Sequence, residues 1–448
     1  MNPIVLVLGS IAAIILLSSR YKLNTFLVLL GLAVTVGLLA GFPAGQVLTY
    51  VRTGFGETLE KIGLLIVLGT ILGSLLDKTN ATLSIANFIL SRVGLRQTPL
   101  AVTLIGFLIG LPIFCDSGFI VLSGLVLALA QRLGRYHLRF VLSLAGALYS
   151  VHCLVPPHPG ITAAVGILDV DIGRMILLGT LLAIPGAAVS YGWAKFADVR
   201  FGTRLADAHE RATEPVMPPA GSLPAPTGSF LAILVPIALI AAKPLLALNS
   251  DIVNPLLLSV VGFAGDPVVA LSVGVVIAVF LFGEFNKSVF NGVVDDAIYK
   301  AGPVLVIVGA GGAFGEIIKH LGLETTIMAL AQSAGSTPHG VPLWLPFLLT
   351  VVFKTAQGSS TVAVLSVASI LQPLLPGLGA ATEWDRLLVL GAMGAGSMTL
   401  SHANDAYFWV VSRFGRVDTD VMLKSYSSMS ALMGLVTFLF LWLIQALV

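Results

Sequence analysis

The sequence predicts an all-α polytopic membrane protein made of two inverted repeats, each holding a re-entrant helical hairpin and a broken transmembrane helix. Three observations predict it. Of 448 residues, 57% are hydrophobic and only 10% are charged, whereas an ordinary soluble domain carries about 25% charge. Apolar runs of membrane-spanning length recur along most of the chain. These runs are interrupted by Pro, Gly and polar residues in the same order in both halves.

The division between the halves is itself legible. Residues 195–228, KFADVRFGTRLADAHERATEPVMPPAGSLPAPTG, are charged and then rich in Pro, Gly and Ala, the composition of a linker. It separates membrane repeat 1, residues 1–194, from membrane repeat 2, residues 229–448. GTILGSLLDKTNATLSIANFIL at 69–90 then matches GAGGAFGEIIKHLGLETTIMAL at 309–330. A hairpin over about 99–131, broken at GLPIFCDSGF, matches one over about 341–373, broken at VFKTAQGSSTV. A broken helix over about 140–168, containing LYSVHCLVPPHPG, matches one over about 386–412, containing MTLSHANDAYFWVV. The offset stays near roughly 240 to 250 residues, and internal symmetry of this kind is typical of transporter folds with a site at the repeat interface.

Charge placement orients the repeats, because short Lys/Arg-rich loops face the cytoplasm. Arg92 and Arg96 precede the first hairpin, and Arg132, Arg135 and Arg139 follow it, so it enters and leaves on the cytoplasmic side. The linker adds Lys195, Arg200, Arg204 and Arg211 to that side. Both flanks of the second hairpin, STPHGVP at 336–342 and LLPGLGAATEWD at 374–385, lack Lys and Arg and are expected outside. The halves are therefore inverted. About ten spans result, with both termini periplasmic and 79–95 and 322–334 as interfacial helices. The stretch 249–267 is expected to be an outer loop with a short helix, or a further span. No cleavable leader is expected, since the first apolar run is followed, not preceded, by Arg20 and Lys22.

Few ionisable groups fall at membrane depth: Asp116, Lys354 and Asp405, with His152, His158 and His402 as neighbours. Each lies at a helix break. Such groups within a bilayer are functional by default, and broken backbone is tolerated there only when buried in protein or lining a wet cavity. Four breaks in matched positions therefore imply one central cavity. Free N–H groups at half-helix N-termini suit it to an anion. Gln357, Gly358, Ser359, Ser360 and Thr361 at one hairpin tip, and Ser117 and Gly118 at the other, supply donors and close backbone approach. Ser401, His402, Asn404 and His158 are expected to read the rest of a ligand, whose carboxylate Lys354 would anchor. Asp116 is the leading proton carrier, with His152, His158 and Asp405 as rivals, since His beside carboxylates titrates near neutral pH. A second reading makes Asp116 the buried counter-ion of Lys354, and another makes the Ser401–Asp405 group a polar staple.

Other classes are weighed against this. Cys115 and Cys153 lie in apolar segments and form neither a disulfide framework nor a metal knuckle. The net charge of +2 suggests no nucleic-acid partner. An intramembrane metal enzyme built on His152, His158 and Asp405 is the rival of another class, but no HExxH spacing occurs. No cofactor is expected.

With these residues in hand, the chain resembles the gluconate permease (GntP) family of the ion transporter superfamily. GLPIFCDSGF, HCLVPPHPG, AQGSSTVA and SHANDAYFW carry the resemblance in that order, over essentially the full length. It implies proton-coupled uptake of a sugar acid such as gluconate across the bacterial inner membrane. Related members take D-serine, glycerate or other small hydroxy acids, and Na⁺ coupling is the alternative to H⁺. It also implies elevator-type transport domains on a homodimeric scaffold. The chain departs from the family pattern at Asp116 and Lys354, where gluconate carriers often have Glu and a nearby Arg, and at Ile161 after PPHPG. Those departures leave the particular acid open.

Overall fold

The computed structural model describes residues 3–17, 21, 23–93, 97–133, 136–202, 223–247, 254–282, 286–321, 342–403 and 405–447. All regular structure among them is helical. The first half holds α1 (Pro3–Ile15), α2 (Thr25–Leu39), α3 (Ala44–Lys78), α4 (Ala81–Arg92), α5 (Thr98–Gly110), α6 (Cys115–Leu133), α7 (His137–Leu154), α8 (Pro159–Leu168) and α9 (Ile172–Phe201). The second holds α10 (Pro226–Ala247), α11 (Pro255–Ala264), α12 (Pro267–Val279), α13 (Lys287–Lys319), α14 (Trp344–Gln357), α15 (Ser360–Leu371), α16 (Glu383–Met398), α17 (Ala406–Phe414) and α18 (Thr419–Leu447). Five helical segments among the described residues are long and apolar enough to cross a bilayer, or seven if each bent pair counts as one span.

Two unusually long helices, α3 and α13, pack against each other along much of their length. Their contacts run in opposite directions along the two chains: Gly54 meets Gly312, Phe55 meets Gly309, and Gly63 meets Leu305. They are antiparallel. A Cβ on Gly312 would collide with the Gly54 carbonyl and the Thr58 hydroxyl, so the backbones touch only because both glycines lack a side chain. Each helix has a charged, exposed first part (Glu57, Glu60 and Lys61; Asp295, Asp296 and Lys300) and a buried apolar second part. α3 bends by 44° between Lys61 and Gly63, and α13 carries Pro303 in the corresponding region. Their sequences do not distinguish these elements, of 35 and 33 residues with a polar half, from ordinary spans.

The four expected breaks divide pairs of consecutive helices. α5 stops at Gly110 and α6 restarts at Cys115, because Pro112 in the intervening turn has no N–H to offer. α7 and α8 are separated by Val155–His158, which contains Pro156 and Pro157. α14 ends on Gly358 at φ +81°, a left-handed cap that disfavours a side chain, and Ser359 caps α15 by accepting from the Val362 amide. Between α16 and α17, Leu400 at φ +56° reverses the chain and Asp405 caps α17.

Packing repeats across the halves: α5 on α7 and α14 on α16, α7 on α9 and α16 on α18, α8 on α15 and α6 on α17. Outside this set, α4 has 12 residues, about 18 Å of helix, short of a bilayer core. Within 249–267 the described part is α11, ten residues with none buried, joined to α12 at a 65° bend. The interfacial helix expected over 322–334, most of the linker, and Asn404 lie outside the described residues.

Candidate functional site

The four breaks meet. The His158 ring bonds through Nε2 to the Gly110 carbonyl at 2.6 Å, joining the α7–α8 break to the α5–α6 break. Gly160, at the start of α8, lies against Thr361 so closely that a Cβ would sit 2.9 Å from its Cα, joining α8 to the tip of the α14–α15 break. Lys354 near the end of α14 reaches Asp405 at the start of α17. Tyr407 on α17 packs edge-on to Phe119 on α6, with ring centroids 6.3 Å apart, and closes the circuit. Segments from both halves of the chain thus share one buried centre.

At that centre is an ion pair. Lys354 is 1% exposed and is the one buried Lys or Arg among the residues whose side chains are described. Its Nζ donates to Asp405 Oδ2 at 2.5 Å and to the Gly358 carbonyl at 2.8 Å. Ser401 Oγ donates to the same Oδ2, and the Tyr407 amide donates to Oδ1 at 3.0 Å. Local structure favours the arrangement, since the cation ends one helix and the anion starts another, each complementing a helix dipole. The Tyr149 ring centroid is 5.9 Å from Nζ. Tyr149 is held by its hydroxyl to the Ser397 carbonyl at 3.2 Å, and Tyr407 by its own to the Ala145 carbonyl at 3.0 Å.

The pairing of Lys354 with Asp405 corrects the reading in which Asp116 is its counter-ion. Asp116 lies in the first turn of α6, the helix whose Phe119 packs on Tyr407. Its Oδ1 is buried and finds no hydrogen-bond partner among the described residues. His152 and His158 lie 4.8 Å apart by ring centroid, with Phe114 beside both, and His152 Nδ1 is likewise without a partner among the described residues. A carbonyl only accepts, so His158 carries its proton on Nε2.

The remaining expected residues distribute as follows. Gln357 is at the end of α14 with both side-chain polar atoms buried and unpartnered among the described residues. Ser359 is spent on capping α15, and Ser360 is the first residue of that helix. Ser117 is half-buried, and Gly118 packs against Leu148. Ser401 is fully buried, its amide donating to Ser430 Oγ at 2.9 Å. His402 is half-buried, and its carbonyl accepts from the Asp405 amide at 2.8 Å. The aromatic wall of Tyr149, Tyr407 and Tyr426 is not among the residues that the sequence singles out. Tyr149 and Tyr407 stand inside LYSVHC and SHANDAYFW, and their closeness to the breaks is the available signal.

Outside the membrane-spanning segments, Asp169 in the α8–α9 link takes a 3.0 Å contact from Lys61, which holds its carboxyl below the usual range. That contact ties the α8 end to the bend in α3.

The chain is 30% identical to a gluconate permease of Pseudomonas aeruginosa, over 98% of this chain and 96% of that one. It is equally 30% identical to the inner membrane permease YgbN of Escherichia coli K12, over 98% of each chain. Its fold is similar to the crystal structure of the Alcanivorax borkumensis YdaH transporter, described as having an unusual topology. The TM-score is 0.58, with 18% identity and 88% of each chain covered. A family model described as GntP family permease matches residues 2–448. The chain is a multi-pass membrane protein that belongs to the GntP permease family.

Proposed function

We propose that this permease is a secondary symporter that takes up a sugar acid such as gluconate with a proton. The observation that carries the reading is the meeting of four helix breaks around one buried cation, Lys354. A cation at that depth, beside half-helix N-termini, is a receptor for a small carboxylate. The names of the relatives supply gluconate as the substrate class. Lys354 and the helix N-terminal amides of Ser359–Thr361 and Ser117 receive the carboxylate, since the Gly358 and Gly118 amides are already bonded to the Lys354 and Phe114 carbonyls, while Gln357, His158, His402 and Asn404 are assigned to its hydroxyls. Asp116 carries the proton. Its Oδ1 has no partner among the described residues, and neutralising it removes the cost of moving a bare carboxylate through the barrier.

The antiparallel crossing of α3 and α13 supports inverted repeats. So does the correspondence between the Phe119–Tyr407 and Gly160–Thr361 contacts, whose members are related by roughly 240 to 250 residues. In this reading the paired helices around each break are the re-entrant hairpins and broken spans. Two such chains form the homodimer, the protein sits in the bacterial inner membrane, and both termini are periplasmic.

A thermal-shift panel on the purified chain tests the substrate class. Gluconate or a related sugar acid at 100 times its Kd should stabilise the protein by about 2.7 kcal/mol. Stabilisation by D-serine and by no sugar acid would move the substrate to another class.

A further inference from the structure

We infer that Asp405 is the carrier's own substitute for the substrate carboxylate: in the unloaded site it occupies the anion position on Lys354, and a bound sugar acid takes that position over. This deepens the proposed reading of the site and rests on it.

The donor set around Asp405 is the set a free carboxylate would need. It comprises an ammonium (Lys354 Nζ), a hydroxyl (Ser401 Oγ) and a helix N-terminal amide (Tyr407 N). Its occupant comes from the chain itself. The donors also arrive from two different breaks, Lys354 from α14 and the other two from the α16–α17 turn, so whatever anion they hold draws those breaks together. Both charged side chains are almost fully enclosed, at 1% and 8% exposed.

A fixed staple does not call for this chemistry. Replacing a buried ion pair by apolar residues of similar volume is often neutral or stabilising, because both charges must be desolvated. What an ion pair supplies, and an apolar pair does not, is an exchangeable partner for Lys354. Without ligand, Asp405 keeps the cation neutralised, and the empty site can close and reorient. With ligand, the incoming carboxylate displaces Asp405, adding one negative charge to a balanced pair. The co-transported proton offsets that charge. Asp405 therefore competes with substrate for one cation.

Removing the competitor's charge should tighten substrate binding, a direction opposite to that of structural damage. The test measures dissociation constants of gluconate and of uncharged gluconamide on the purified full-length chain. The chains compared are wild type, Asp405→Asn, Asp405→Ser and Lys354→Gln. Asn and Ser both keep an N-cap acceptor for α17, so if one variant fails to accumulate the other stands in. Gluconate should bind both Asp405 variants about tenfold more tightly or better, the scale of one hydrogen bond to a charged group, with gluconamide unchanged. Unchanged or weaker gluconate binding in the Asp405 variants overturns the inference. Wild-type gluconate binding in Lys354→Gln overturns instead the underlying assignment of Lys354 as anchor.

Discussion

Taking an ammonium and a carboxylate out of water costs several kcal/mol for each ion, and the pair is retained only if its geometry compensates. For Lys354 and Asp405 it does so with four directed contacts, from the Gly358 carbonyl, Ser401, the Tyr407 amide and each other. Breaking one side leaves the other charged and buried. Lys354→Met should therefore cost about 3–5 kcal/mol, and adding Asp405→Asn should recover much of that. Thermal unfolding of the two single variants and the double variant in detergent checks this as a cycle; additive losses would mean that the charges do not interact. Both residues are visible in the sequence as charges stranded in apolar runs. Their partnership is not, because nothing in KTAQGSST or SHANDAYFW says which of two nearby carboxylates a lysine will meet.

At the scale of elements, the breaks are legible in the sequence and the long helices are not. Pro112, Pro156, Pro157 and Gly358 interrupt runs that would otherwise be continuous, and each marks the end of a helix in the structure. By contrast, α3 and α13 run from a charged surface segment to a buried one through Gly63 and Pro303 without ending there, so their length emerges only from packing. Their crossing rests on two residues without side chains. Gly312→Val places atoms where the Gly54 carbonyl and Thr58 hydroxyl already are. Such overpacking costs about 1–3 kcal/mol, so its unfolding midpoint should fall, whereas Gly302→Ala, at a position with open space, should leave it near wild type. Equal midpoints for the two variants would show that the crossing yields more easily than its contacts imply.

At the scale of the whole molecule, the two halves share one buried centre, and the distribution of charge decides which ends face which compartment. Composition alone is enough for the membrane class, and the repeated order of breaks is the ground on which two inverted halves are proposed. The circuit of contacts joining Gly110, His158, Gly160, Thr361, Lys354, Asp405, Tyr407 and Phe119 needs three dimensions. The proposed orientation follows from the Lys/Arg distribution. A C-terminal alkaline phosphatase fusion should be active and a C-terminal green fluorescent protein fusion dark; the reverse pattern would place that end in the cytoplasm and invert the assignment of both hairpins.

In the proposed mechanism an acid is carried together with a proton that Asp116 holds. Gluconate uptake into sodium-free proteoliposomes under an inward pH gradient tests it most directly, comparing wild type with Asp116→Asn. Wild type should accumulate gluconate, and Asp116→Asn should lose that accumulation while keeping gluconate counterflow. Gradient-driven accumulation that survives in Asp116→Asn, or wild-type accumulation that occurs only when a sodium gradient is imposed, would contradict the account.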